Sequence, residues 1–400
     1  MLKLGIAGNP VFHTRSTELF QLLSEKYSIE LKYIPISTPN SQSIINFSKV
    51  IDLKGLNITT PLKKSIMELL TKIDYQASNL NSVNTILLTN DSFVGYNTDY
   101  FGILQTIWDQ KLIFNKKKVV ILGSGSAALT AAFAIKNLNA KIYIWDRDEE
   151  KARKAADDLS VSYLNDIALI QQLDKFDYII STIPPNSKIL TELKFSKHQT
   201  IIDTIYHSSF FHSNQNNFNY IFISGYNWLI NQVLLSFEMF TGIHPQKDGY
   251  KEEFLSKPDK KYKNFIFINS SESMGNKLLQ QIASELDFHF ININEEISKA
   301  LTNNENLVNE IESKILQKTN KQIQNSNDKS IISVDNRIIS DPNNLELLKG
   351  LGSIIWIYDP SYVDEDQNDF NFANSDFVFI LSPDIEESKE RLISEIERII

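Results

Sequence analysis

Short runs of β-branched and aromatic residues recur along the chain: KLGIAG at 3–8, KGLNIT at 54–59, KVVILG at 118–123, KIYIWD at 141–146, YIISTI at 178–183, TIIDTIY at 200–206, FIFIN at 265–269, SIIWIYD at 353–359 and FVFILS at 377–382. Most are apolar at successive rather than alternate positions, the pattern of a strand covered on both faces. Between them lie amphipathic stretches of helix length, for example 127–138, 149–159, 276–287 and 384–400. Strand alternating with helix predicts parallel sheets layered by helices, so the fold class is α/β. A long apolar helix is predicted at about 226–241. The charge-dense stretch that follows it, carrying the breakers Gly249 and Pro258, reads as a linker over 246–261. No repeat is visible, which argues against a solenoid.

Composition narrows the function classes. A chain of 400 residues, 42% hydrophobic and 11% aromatic, supports two to three cored domains at roughly 150 residues each. With 49 acidic against 40 basic residues the net charge is −9, which disfavours nucleic acid or an anionic membrane as the main partner. The absence of cysteine excludes disulfides, a thiolate nucleophile, iron–sulfur clusters and cysteine-ligated zinc. Six scattered histidines leave little for metal chemistry, and no metal site is expected. The opening MLKLGIAGNP lacks a signal-peptide core, and no apolar run approaches the ~18 residues of a membrane span, so the expected location is cytoplasmic.

The clearest chemical signal is KVVILGSGSAALTAAFAIKN at 118–137, a strand that runs into Gly123, Ser124, Gly125, Ser126, Ala127 and Ala128 and then a small-residue helix. In this G-x-G-x-x-A turn Gly123 permits the tight turn, Gly125 lets backbone approach a pyrophosphate, and Ala128 allows close helix–strand packing, with phosphates at the helix N-terminus. The next strand ends about twenty residues on at Asp146, Arg147 and Asp148, where such folds meet the adenosine ribose. Elsewhere, GLNITTPLK at 55–63 puts Lys63 after a strand end and a proline turn, and GYNTD at 95–99 delivers Asp99 from another loop. A lysine with a carboxylate partner suits the proton transfer of a hydroxyl-to-ketone oxidation.

These segments resemble the shikimate dehydrogenase family, in order, over residues 1–245. The matching stretches are GNPVFHTRS at 8–16, GLNITTPLK at 55–63, NSVNT at 81–85, GYNTDYFG at 95–102, GSGSAA at 123–128, DYIISTIPP at 177–185, DTIY at 203–206 and GYNWLINQVLLSFEMFTG at 225–242. The resemblance implies Lys63 and Asp99 as catalytic pair, with Thr14, Ser16, Thr60, Asn84, Asp99, Tyr206 and Gln232 around shikimate. It also implies Gly123, Ser124, Gly125, Ser126, Ala127, Asp146, Arg147, Asp148, Thr182 and Gly225 along the cofactor. Short hydroxyl and amide groups fit a small ring bearing hydroxyls and a carboxylate, whose buried polar atoms need partners. The chain departs from the family pattern at Thr14 and Thr17, at Phe20-Gln21, and at Asp146-Arg147-Asp148 in place of Asn-Arg-Thr. Arg147 favours the 2′-phosphate of NADP, whereas the two aspartates oppose it and suit the free ribose of NAD. The expected cofactor is NADP, with NAD as alternative. A quinate-preferring enzyme and a non-catalytic shikimate-binding protein stay open, as does a homodimer.

Residues 262–400 resemble a shikimate kinase in layout, as strand, phosphate loop, helix, strand and acidic pair. The loop here, Asn269 to Lys277, lacks the first glycine and the Gly-Lys-Ser ending, Asn292 and Asn294 stand where aspartates are usual, and Ser333 to Arg337 replaces a glycine loop. The alternative is an unrelated α/β domain. The expected organisation is a shikimate-binding catalytic lobe (1–100 and 226–245), a Rossmann dinucleotide-binding lobe (101–225), the linker, and a P-loop kinase-like α/β domain (262–400) without kinase activity.

Overall fold

The computed structural model describes residues 1–89, 92–206, 209–218, 220–246, 250–258, 260–269, 272–300, 308–325, 328–361 and 365–400. Contacts divide the chain into two compact units, the first made of Met1–Leu70, Ile86–Ser92 and Glu252–Ile400, the second of Thr71–Thr85 and Phe93–Lys251.

In the first unit the strands lie in the order His289–Asn292, Ser330–Asp335, Asn264–Asn269, Ser353–Tyr358, Phe377–Ile380, Leu31–Ser37, Leu2–Gly8, Gly55–Ile58 and Thr85–Leu88. Pairing is parallel from His289–Asn292 through to Gly55–Ile58. Ser353–Tyr358 and Phe377–Ile380 are buried along their whole length, as unbroken apolar runs require. The sequence-based boundaries put a linker at 246–261 and a further domain at 262–400; the contacts group Glu252–Ile400 with Met1–Leu70 and Ile86–Ser92. Phe377–Ile380 adds directly to Leu31–Ser37, with Val378 opposite Ile36 and Phe379 opposite Ser37. Phe47, on helix Ser41–Ile51, packs its ring 5.7 Å from Trp356 and 4.9 Å from Tyr358, and Phe12 lies 4.5 Å from Phe377. The expected linker also folds in part: Tyr250–Ser256 is helical, and Tyr250 and Phe254, four residues apart on one face, are both buried.

The second unit holds a parallel sheet ordered Ile221–Ile223, Thr200–Asp203, Tyr178–Ser181, Lys118–Leu122, Lys141–Trp145 and Ser162–Tyr163. From Lys118–Leu122 the chain builds outward on one side, then returns to Tyr178–Ser181 on the other. The turn after Lys118–Leu122 therefore opens at a topological switch point, the place where such sheets bind ligands. Helices Thr98–Asp109 and Gly225–Thr241 pack closely because Gly102 has no side chain: a Cβ there would stand 2.9 Å from Trp228 Cδ1. Among the described residues no helix is long and apolar enough to cross a membrane.

Candidate active site

The turn at the second unit's switch point has the geometry its glycines predict. Gly123 adopts φ +112°, and a Cβ there would fall 2.2 Å from Thr182 Oγ1. Thr182 is held by donating that hydroxyl to Leu122 O at 2.9 Å, from the strand across the switch point. Gly125, at the N-cap of helix Ser126–Lys136, differs: the position of its missing Cβ has nothing within 4 Å. Open space in front of a helix N-terminus whose first amides lack intrahelical partners is the form of a phosphate cradle, so these residues fit a dinucleotide. Ser126 Oγ lies 2.9 Å from Ser82 Oγ, Ala127 is partly buried, and Ala128 is fully buried against the core.

Asp146 and Asp148, expected beside the ribose, have their carboxylates engaged by the protein. Asp146 Oδ2 accepts Ser124 N–H at 2.9 Å and Ser124 Oγ–H at 2.8 Å, so it braces the glycine turn. Asp148 caps helix Glu149–Leu159, accepting Lys151 N–H at 3.2 Å and pairing with Lys151 Nζ at 3.1 Å, bonds that hold its carboxyl below the usual range. Arg147 between them is exposed. Gly225 opens its helix under the end of Thr200–Asp203, where a Cβ would meet Asp203 O at 2.6 Å, and the Tyr206 ring lies 5.1 Å from that of Tyr226, tilted by 34°.

The same unit gathers three of the predicted substrate residues. Asn84 Oδ1 accepts Thr98 N–H at 2.7 Å and the hydroxyls of Thr85 (3.0 Å) and Thr98 (3.2 Å), while its Nδ2 reaches Gln232 Oε1 at 3.4 Å. Asn97 caps the Thr98–Asp109 helix by accepting Tyr100 N–H at 3.1 Å and donates to Ser82 O at 2.8 Å. Asp99 follows in the first turn, where the helix dipole favours a carboxylate, and its carbonyl accepts the Trp228 indole N–H at 2.9 Å. Gln232 lies one turn beyond Trp228, and Asn84 links the two helices by bonding both Gln232 and the Thr98 amide that precedes Asp99. The buried hydroxyls of Thr85, Thr98 and Ser236 that support them, 3.0–3.4 Å apart, carried no sequence signature.

The first unit positions Thr14, Ser16 and Thr60 together with Lys63, the lysine of the expected catalytic pair. Thr14 and Ser16 follow strand Leu2–Gly8, and Thr60 and Lys63 follow Gly55–Ile58; Asn9 N–H donates to Thr60 O at 3.0 Å and ties the two loops. Thr14 Oγ1 accepts Ser16 N–H at 3.3 Å. Ser16 starts helix Ser16–Tyr27 and shares a hydrogen bond with the Tyr33 hydroxyl, which donates to Asn57 Oδ1 at 2.9 Å. Burial pushes the Tyr33 phenol well above its ordinary range, so it stays a donor. Tyr33 and Asn57 were not singled out from the sequence. Lys63 sits on the short helix Leu62–Ser65.

In the C-terminal segment the positions compared above with a phosphate loop bond to one another. Asn269 Nδ2 donates to Ser333 Oγ at 2.8 Å, Ser333 donates to Asn276 Oδ1, and a Cβ on Gly275 would stand 2.9 Å from the Asn269 side chain. Asn292 Oδ1 accepts Glu295 N–H at 3.2 Å, and Asp335 caps the next turn through Arg337 N–H (2.9 Å) and Ile338 N–H (3.2 Å). Ser270 and Ser271 lie outside the described residues. Among the described residues no cluster of three or more histidines, aspartates or glutamates is placed to hold a metal ion.

Residues 6–86 match the family described as shikimate dehydrogenase substrate binding domain, and residues 112–189 match the alanine dehydrogenase/PNT C-terminal domain. A shikimate dehydrogenase (NADP+) of Methanococcus vannielii is 30% identical over 273 residues, covering 63% of this chain and 96% of the relative. The crystal structure of a shikimate dehydrogenase in complex with NADP+ aligns with TM-score 0.59 at 26% identity, over 64% of this chain and 95% of the other. That of the Aquifex aeolicus shikimate dehydrogenase aligns with TM-score 0.60 at 23% identity, over 64% and 98%.

Proposed function

The chain belongs to the shikimate dehydrogenase family, and from that premise we propose that it catalyses the reversible NADP-dependent reduction of 3-dehydroshikimate to shikimate. The observation that carries this reading is the second unit's combination of an open glycine turn at a helix N-terminus with the Asn84, Asp99 and Gln232 group. When bound, the nicotinamide cofactor supplies hydride transfer. The chain's own work is positioning and the proton. Lys63 Nζ gives a proton to the substrate carbonyl oxygen in the reductive direction and takes it from the C3 hydroxyl in the oxidative one, with Asp99 as the second member of the catalytic pair. Thr14, Ser16, Thr60, Asn84, Tyr206 and Gln232 supply partners for the ring hydroxyls and carboxylate. Amides at the start of Ser126–Lys136 take the pyrophosphate and Arg147 takes the 2′-phosphate. Because Asp146 is turned to Ser124, its carboxylate is not offered to a free ribose, which supports NADP over NAD. The reading carries with it a cytoplasmic small-molecule enzyme. Steady-state rates with shikimate and with quinate, each with NADP+ and NAD+, test it. The shikimate and NADP+ pair should be fastest, and no cofactor reduction with any pair would refute it.

For residues 262–400 we propose a kinase-like fold without kinase activity. The layout of strand Asn264–Asn269 followed at once by helix Glu272–Glu285 supports the first part. The mutual bonding of Asn269, Asn276 and Ser333, and the helix-capping role of Asn292, support the second, since phosphoryl transfer needs amides and charges turned toward the phosphate. Shikimate 3-phosphate formed from ATP, Mg2+ and shikimate at ~1–100 s−1 would overturn it.

A further inference from the structure

The loop that carries Thr14 and leads into Ser16 is held from the far end of the chain. Its amides at Val11 and Phe12 do not join the sheet; both donate to one carboxylate, that of Glu395 on helix Ile385–Ile399. Val11 N–H lies 3.0 Å from Oε1 and 2.9 Å from Oε2, and Phe12 N–H lies 2.9 Å from Oε2. Glu395 is 0% exposed, and a charge so deeply buried is tolerated only where hydrogen bonds replace its water. One turn earlier, Arg391 donates to Ser37 O (3.3 Å) and Ile380 O (3.0 Å) and lies 4.6 Å over the Phe379 ring, so it fixes the helix to the strand ends beside the loop.

A second anchor grips the loop's other end. Arg15, 4% exposed, donates to Phe254 O (3.3 Å) and Lys257 O (2.9 Å), lies 4.4 Å over the Phe254 ring and pairs with Glu18 at 2.7 Å. Thr14 therefore sits between two fixed points, with Ser16 just past the second. Glu395 and Phe254 both lie outside residues 6–86 and 112–189, the stretches the family descriptions match.

We propose that Glu395 is a positioning residue for the substrate site: by holding the Val11 and Phe12 amides it sets the loop that presents Thr14 and Ser16 to shikimate, making the C-terminal segment a working part of the dehydrogenase. The proposal rests on the function given above. Removal of the carboxylate leaves two adjacent buried donors without an acceptor, and the loop must shift to rehydrate them.

Glu395→Leu in the full chain is the test, because it keeps most of the volume and removes both accepting oxygens. The KM for shikimate should rise on the order of ten- to a hundredfold, the cost of misplaced binding groups, with the KM for NADP+ within about twofold. An unchanged shikimate KM in the folded variant overturns the proposal, as does an equal rise in both KM values, which is general loosening. Hydrogen exchange of the wild-type chain gives a readout that needs no variant. The Val11 and Phe12 amides should exchange as slowly as those of strand Leu2–Gly8, and exchange at the rate of an open loop overturns the proposal even if the variant does not fold. Exchange uses no substrate, so failure of the clamp is distinguishable from failure of the functional reading, which shows as absent shikimate turnover in the wild type.

Discussion

Gly125→Ala separates what the protein needs from what the cofactor needs. Gly125 has φ −74° and ψ −179°, an extended conformation open to any residue, and its Cβ direction meets nothing within 4 Å. An alanine there lowers the entropy of the unfolded chain and is a poorer N-cap, opposing effects each within about 1 kcal/mol, so the melting temperature should move by no more than about 4 °C. A pyrophosphate seated on the first amides of Ser126–Lys136 would meet the new methyl. Overpacking costs about 1–3 kcal/mol, which at ~1.4 kcal/mol per decade gives a rise in KM for NADP+ of roughly 5- to 150-fold, with the KM for shikimate little changed. Gly123→Ala is the contrast, because its Cβ would lie 2.2 Å from Thr182 Oγ1 at φ +112°. Backbone strain of ~1–3 kcal/mol plus the disturbed Thr182 bond should lower the melting temperature as well. Thermal melts and initial rates on the two variants decide the matter. A Gly125→Ala enzyme with wild-type KM for NADP+ would mean that this turn does not cradle the cofactor, and one as destabilised as Gly123→Ala would mean that the space is not open.

Lys63→Ala should lower kcat by a hundredfold or more while the protein stays folded, the scale of a lost positioned acid–base group; a near-wild-type kcat would remove Lys63 from the mechanism. Arg147→Ala should cut kcat/KM with NADP+ by about 10- to 100-fold and leave NAD+ nearly unchanged, whereas Asp146→Asn should weaken both cofactors together because it loosens Ser124; an Asp146→Asn enzyme that gains NADP+ selectively would show that the carboxylate faces the ribose after all. Asp203 is pushed up to about 6 from an ordinary 3.8, chiefly by burial and against the bonds from Ser209 and Ile205. A raised carboxyl stabilises the fold fully only below its unfolded value and loses that contribution, on the order of 2–3 kcal/mol, as pH rises through about 6. Wild-type melting temperature should therefore fall more between pH 5 and 7 than that of Asp203→Asn, and parallel curves would refute the assignment.

What the sequence disclosed follows the type of interaction involved. Strands such as Lys118–Leu122 and Ser353–Tyr358 were legible because burial on both faces leaves an unbroken apolar run. Leu31–Ser37 was not, because Pro35 argues against an inner strand; its pairing with Phe377–Ile380 runs only from Ile36, so the missing N–H falls where that flank is still open. Ser330–Asp335 was hidden by Ser330, Ser333 and Asp335, polar residues buried on internal hydrogen bonds. Within the site, glycine at 123 and 125 is written into the residue type, but the direction of the Asp146 carboxylate is not. Glu395 and Arg391 did leave a trace, since they share a helix face with Leu392, Ile396 and Ile399. Their partners are backbone groups of Val11, Phe12, Ser37 and Ile380, and a backbone amide bears no residue signature.

The join between Leu31–Ser37 and Phe377–Ile380 also sets an order of events in biosynthesis. Until residue 380 leaves the ribosome, the strand made among the first forty residues keeps an unpaired, apolar flank, and the amides of Val11 and Phe12 await an acceptor 384 and 383 positions later. An open edge of this kind templates pairing with other chains, and contacts so distant in sequence form late. Nascent and truncated chains should thus be the aggregation-prone species, and helix Ile385–Ile399 is the latch whose arrival gives those amides their acceptor.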